Sequence, residues 1–367
     1  MKVGIFHPSL NACGGAEWVA VKIINALAKK GHETVVLTND QVNQNRIKDL
    51  FGEEAHIGSQ FVFPFELFPS TDVHNIYTDG IRTLLLKTQC DILIDTESNA
   101  LLPGVNITYF HFPMLGRLED YKKYKLNAVR ARLLYFEPYR LYERKESQHT
   151  KRIVFSNSMF TGNAMRNLGM HPTLLYPPIA KIFYLDPEEN SSRENCVVTV
   201  ARLDKQKRLD TIPEIARLTN KSIRFLIIGI KQRQQDFDSI LESIERNKVS
   251  DRVEVQTDVP QRKLLEILRT SKVYLHTSIG EHFGVSLAQA MASGCIPIAY
   301  DAGGPREFVP KEYRFTEHKA AAAKIDKAVF EWTPQDSKRV IKIAHKFDEE
   351  VFSSKFLDLF DSRFSKL

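Results

Sequence analysis

Short apolar runs alternating with helical stretches, twice over, constrain this chain more than any other feature. Residues 2–7 read as a strand, and residues 16–30 show helical apolar spacing at Val19, Ile23 and Leu27. Gly31 ends that helix and a second strand begins at 33–37, which completes a βαβ unit. Further strands are predicted at 91–94, 106–110 and 152–155, all brief and apolar, as parallel strands covered on both faces should be. Pro177 and Pro178 break the pattern and mark a linker. Alternation then restarts, with strands at 196–200, 223–228, 253–256, 273–276 and 296–300 and helices at 209–218, 239–244 and 262–268. The expected architecture is α/β, two doubly wound halves facing a cleft, divided as 1–178 and 179–332. A helical tail occupies 333–367, with Phe347, Val351, Phe352, Phe356, Leu359 and Phe360 as its apolar stripe.

At 367 residues the chain is long enough for two cores. It opens directly on a strand and holds no apolar run long enough to span a bilayer, so a cytoplasmic, at most peripheral, protein is expected. Cys13, Cys90, Cys196 and Cys295 are far apart, without metal-ligand spacing, and read as reduced thiols. Between Arg117 and Arg152 basic residues outnumber acids about two to one, interleaved with tyrosines. Phe61, Val62, Phe63, Phe65, Leu67 and Phe68 form a second aromatic cluster. No nucleic-acid motif accompanies these stretches, so an anionic membrane surface is the expected partner and nucleic acid is not.

The chemistry concentrates in Glu281-His282-Phe283-Gly284-Val285, the helix that follows through Gln289 to Gly294, and the turn Gly303-Gly304-Pro305. Here a loop feeds a helix and a short strand opens into another glycine turn, so backbone amides at two helix starts can face one anionic ligand. This string resembles the signature of glycosyltransferase family 4, retaining enzymes of the GT-B fold, built of two Rossmann-like domains, that move a sugar from a nucleotide diphosphate. The resemblance assigns the donor sugar to Glu281 and the ribose hydroxyls to Gln289, with Phe283, Gly284 and Val285 lining the nucleotide site. Family members carry a second Glu where this chain has Gln289, and a neutral amide binds a hydroxyl differently from a carboxylate.

Arg202 and Lys207 lie between the strand ending at Val200 and the helix at Leu209, where fixed cations can stabilise a diphosphate leaving group. The string 201–208 resembles the family element whose Arg and Lys hold that diphosphate. Gly14 and Gly15 sit between the first strand and first helix, where a backbone can approach a phosphate closely. By resemblance they border the donor phosphates and the acceptor. His111 follows a strand, and it resembles the family histidine that contacts the donor sugar; His7 is a weaker candidate of the same type. No Asp-x-Asp motif is present at a donor site, so metal independence is expected, with no cofactor beyond the nucleotide sugar.

Within the family, 109–113, 175–178, 281–284 and 303–305 look most like the α-1,2-mannosyltransferases that extend lipid-linked oligosaccharides from GDP-mannose. The resemblance also suggests that the C-terminal helix crosses back to the first domain. The alternatives are a UDP-sugar-dependent member and a degenerate, non-catalytic GT-B subunit that binds a glycan; nucleotide-sugar epimerases, which share the fold, lack evident catalytic acids here.

Overall fold

The computed structural model describes residues 1–63, 72–117, 137–147, 152–186, 192–231 and 233–365. These divide into two compact units, Met1–Pro178 with Glu349–Leu367, and Ile179–Asp348. The basic stretch predicted to meet a membrane, and Phe65, Leu67 and Phe68, fall largely outside the described residues.

Among the described residues the first unit holds a parallel sheet in the order β3-β2-β1-β4-β5-β6-β7. Its strands are β1 Lys2–Phe6, β2 Glu33–Thr38, β3 Ser59–Val62, β4 Ile92–Asp95, β5 Ile107–Phe110, β6 Ile153–Ser156 and β7 Thr173–Leu174. Val3, Ile5, Val35, Val36, Leu93 and Ile94 are fully buried, because helices such as Gly15–Lys29 cover the sheet. Phe6 pairs with Asp95 and Asp95 with Thr108, so the chain leaves β1, β4 and β5 at one end of the sheet. His7, Thr96 and His111 are the residues that follow these strands.

The helix Glu349–Phe364 completes this unit. Phe352, Phe356, Phe360 and Phe364 are buried along one face, as spacing by four requires. Phe352 meets Tyr109, Phe356 meets Phe155 and Phe360 meets His32, at ring separations of 6.4, 6.2 and 5.4 Å. Each buried ring contributes about 2 kcal/mol. The tail that the sequence starts at 333 is divided in the structure. Pro334–Ala344, capped by Thr333 with Asp336, belongs to the second unit, and a turn at His345–Phe347 separates it from the returning helix.

The second unit is a parallel sheet in the order β10-β9-β8-β11-β12-β13. Its strands are β8 Glu194–Val200, β9 Arg224–Gly229, β10 Val253–Thr257, β11 Ser271–His276, β12 Ile296–Tyr300 and β13 Arg314–Phe315. A buried guanidinium organises one end. Arg193 donates to the carbonyls of Leu268, Ser271 and Ser293, at 3.1, 2.7 and 2.6 Å, satisfying acceptors left open where two helices end. The sequence reading missed β3, β7 and β13, which are short edge strands without a continuous apolar run.

Candidate active site

The loops after β8 and β11 of the second unit bring Lys207 and Glu281 together. Asp204 shapes the first loop by accepting from the amides of Gln206 and Lys207 at 2.9 and 3.3 Å. Arg208 closes that turn in the left-handed region, at φ 53°, which costs a non-glycine residue about 1 kcal/mol. Thr277 Oγ1 then donates to the Lys207 carbonyl at 2.7 Å and ties the loop to the end of β11. Lys207 Nζ donates to Glu281 Oε2 at 2.7 Å, with the side chains 21% and 15% exposed.

The glycine turn at 303–304 holds Glu281 by its backbone. Gly304 N donates to the Glu281 carbonyl at 2.8 Å. A Cβ at Gly303 would stand 2.9 Å from the Glu281 nitrogen, and one at Gly304 would stand 2.7 Å from Phe283 Cα. Both approaches are too close for any side chain. Gly284 adopts φ 99° and opens the helix Val285–Ala292 without a side-chain cap, leaving first-turn amides available. On that helix Val285, Ser286 and Gln289 share the partly exposed face, while Leu287, Ala288, Ala290 and Met291 are buried. The Gln289 amide makes no hydrogen bond among the described residues, so it remains available for a ligand hydroxyl.

Phe283 turns its ring inward. Its ring is 2% exposed and packs on Phe308 and Phe347 at 5.1 and 4.9 Å. It anchors the loop in the core, so that residue offers a ligand only its backbone. Arg202 stays outside the Lys207–Glu281 pair: its side chain is 61% exposed, and Nε lies 3.5 Å from Asp204 Oδ2.

The sequence reading missed His276. The last residue of β11, it is buried, with Nε2 3.6 Å from Glu281 Oε2 and without a hydrogen bond among the described residues. Burial pushes its pKa down to about 4, Lys207 adding to this and Glu281 opposing it. Burial alone would push Glu281 up, but Lys207 and His276 more than offset that and hold it at about 2. At neutral pH the site therefore presents an ionised carboxylate, its paired ammonium and a neutral imidazole. Only the register of β11 against the following loop reveals this third member.

In the first unit Gly14 caps the helix Gly15–Lys29, and its amide donates to Glu17 Oε2 at 2.7 Å. His111 Nε2 lies 3.0 Å from the Thr96 carbonyl and 3.6 Å from Glu97 Oε2. A carbonyl can only accept, so Nε2 carries the proton and, in the neutral ring, Nδ1 keeps a lone pair. His111 N donates to Asn99 Oδ1 at 2.7 Å and Thr161 Oγ1 donates to the His111 carbonyl at 3.1 Å, which fixes the residue's backbone.

Two parallel-sheet units of Rossmann-like type make this the GT-B fold, with the Lys207–Glu281 pair at the strand ends of the second unit. Residues 183–347 match the family described as Glycosyl transferases group 1, as the signature at 281–305 leads one to expect. A Neurospora crassa protein described as GDP-Man:Man(3)GlcNAc(2)-PP-Dol alpha-1,2-mannosyltransferase is 24% identical, over 97% of this chain and 79% of its own. A Homo sapiens protein of the same description is 26% identical, over 83% of this chain and 73% of its own. The crystal structure of Anabaena HepE in complex with UDP and glucose has the same fold, with a TM-score of 0.74, 16% identity, and 99% and 100% of the two chains covered.

Proposed function

We propose that this chain is a retaining hexosyltransferase that moves mannose from GDP-mannose to a lipid-linked glycan without a metal ion. The observation that carries this reading is the Lys207–Glu281 pair, held at 2.7 Å within the group 1 domain. The relatives named as GDP-mannose-dependent α-1,2-mannosyltransferases support the donor and the acceptor class. The degenerate, glycan-binding alternative is not favoured, since such relatives are named as enzymes.

In this reading Arg202 and Lys207 bind the diphosphate and balance the charge that grows on it as the glycosidic bond breaks. Glu281, ionised and acceptor-only, takes hydrogen bonds from sugar hydroxyls. Gln289 holds the ribose, beside the uncapped turn of Gly284 and Val285. Gly14 and Gly15 border the donor phosphates and acceptor, and His111 contacts the sugar. Retention follows the family pattern, in which the leaving phosphate helps to deprotonate the acceptor on the same face; no protein base is assigned.

Among the described residues no helix is long and apolar enough to cross a membrane. A lipid-linked acceptor nevertheless calls for a membrane surface, and the basic stretch between Arg117 and Arg152 suits an anionic one. Incubation with GDP-mannose and a lipid-linked oligosaccharide acceptor, in EDTA, should give product extended by one α-linked mannose. Transfer from UDP-glucose in place of GDP-mannose, or a requirement for added divalent metal, would overturn the corresponding part. Sedimentation with anionic vesicles should fall as salt rises, and equal supernatant recovery with and without vesicles would remove the membrane proposal.

A further inference from the structure

Two features of the first unit, the glycine turn and the His111 ring, meet in one set of contacts. Glycines impose little conformation of their own, so Gly14-Gly15 needs an outside hold. Glu17 supplies it from one side through Oε2, and its Oε1 lies 3.7 Å from His7 Nε2. His7 is 1% exposed, and its Nδ1 lies 2.9 Å from Thr96 Oγ1. The Thr96 hydroxyl donates to the Phe6 carbonyl at 3.1 Å, so its oxygen receives the hydrogen bond and Nδ1 must carry a proton. Nε2 faces the Glu17 carboxylate, which favours the imidazolium. The Thr96 carbonyl, in turn, accepts from His111 Nε2 at 3.0 Å.

We propose that Glu17, His7 and Thr96 form a charged relay that fixes the Gly14-Gly15 turn and His111 in one arrangement, which makes His7 a positioning residue for transfer. This rests on the reading that the turn and His111 serve that reaction. A buried ion pair gives little net stability over an apolar replacement, but the hydrogen bonds at its two ends, His7 to Thr96 and the Gly14 amide to Glu17, fix geometry. The charged groups around His7 agree: burial lowers its pKa, and Glu17 on its helix, Glu97 in the loop after β4 and Asp95 at the end of β4 together raise it above the usual value. Glu17 is pushed up by burial and brought below the usual carboxylate range by His7. A Cβ at Gly14 would meet Glu17 Oε2 at 2.9 Å, so the turn and the carboxylate are fitted to each other.

The test reads the relay first without substrate. In long-range imidazole spectra of the full chain, His7 should hold both ring protons through neutral pH. Glu17→Gln should make that ring neutral near pH 7 and speed exchange of the Gly14 amide. In transfer assays His7→Gln and Glu17→Gln should each lower kcat/KM about tenfold to hundredfold, as misplacement of reacting groups does. The double variant should lose no more than the worse single variant, because the residues act as a unit. Thr96→Val should behave alike, and Thr96→Ser, which keeps the hydroxyl, should lose less. A His7 ring that is neutral in the parent and indifferent to Glu17→Gln would overturn the proposal, as would single losses that multiply in the double variant. If the chain transfers no sugar, the spectra still judge the relay and the failure falls on the functional reading.

Discussion

The Lys207 ammonium and the Glu281 carboxylate stand 2.7 Å apart although 74 residues separate them. The sheet order explains how: β8 and β11 are neighbours, so the loops that follow them emerge side by side. A cation expected at a leaving group and an acid expected at a sugar are thus one ion-paired unit.

Lys207→Ala should therefore cost stability as well as rate. It strands the Glu281 charge, with a loss of about 3 kcal/mol of folding stability. Turnover should fall by about a hundredfold to a thousandfold, as when one donor to a developing anion is removed. Arg202→Ala, at an exposed side chain, should leave stability within about 0.5 kcal/mol while lowering turnover similarly. Urea unfolding and initial rates measured on the same preparations check both; an Arg202→Ala variant with the parent rate would remove that residue from the diphosphate.

Gln289→Glu should preserve or tighten nucleotide binding, since a carboxylate accepts two ribose hydroxyls where the amide oxygen serves fewer. Calorimetry with GDP, UDP and ADP is the measurement, and GDP should bind in preference to the others. Loss of binding in a folded Gln289→Glu variant would mean that the amide donor is needed.

Acid should weaken the second unit in two steps. An unfolded histidine binds a proton below about pH 6.5, whereas folded His276 does so only below about 4. Between these values unfolding takes up a proton, so His276's contribution is whole above the window and is lost as pH falls through it, at about 1 kcal/mol per pH unit. Glu281 adds the same sign lower down, from its ordinary 4.5 to about 2. Denaturation at stepped pH should show His276→Gln flattening the upper step alone; an unchanged upper slope would remove His276 as its source.

Gly304→Ala should disturb the site without touching a charged group. The new methyl must displace the His282 and Phe283 backbone, at about 1–3 kcal/mol, and the Glu281 loop moves with it. Donor affinity should drop while folding persists. A Gly304→Ala variant that binds nucleotide as the parent does would show that the two turns are not coupled.

How much of this was legible in the sequence depends on what fixes each residue's direction. Strands such as 296–300 are apolar on both faces and declare themselves; the edge pair Arg314–Phe315 does not, being too short for any period. Lys207 and Glu281 were found through a motif, but their contact depends on sheet order. Phe283 stands out through the motif, but the direction of its ring is set by Phe308 and Phe347 from far along the chain, which no local pattern shows. His276 was invisible as a strand's last residue. Gly303 and Gly304 read as a second anion-facing turn, and the structure shows them also serving as the surface on which Glu281 rests.

The return of Glu349–Phe364 to the first unit bears on the order in which the protein matures on the ribosome. Domains made first ordinarily fold first. Here the earlier unit is discontinuous and lacks four buried phenylalanines until Glu349–Phe364 is made, whereas Ile179–Asp348 is one unbroken segment. The half translated second can complete its core while the half translated first is still waiting, its sheet exposed to chaperones until the returning helix has been made.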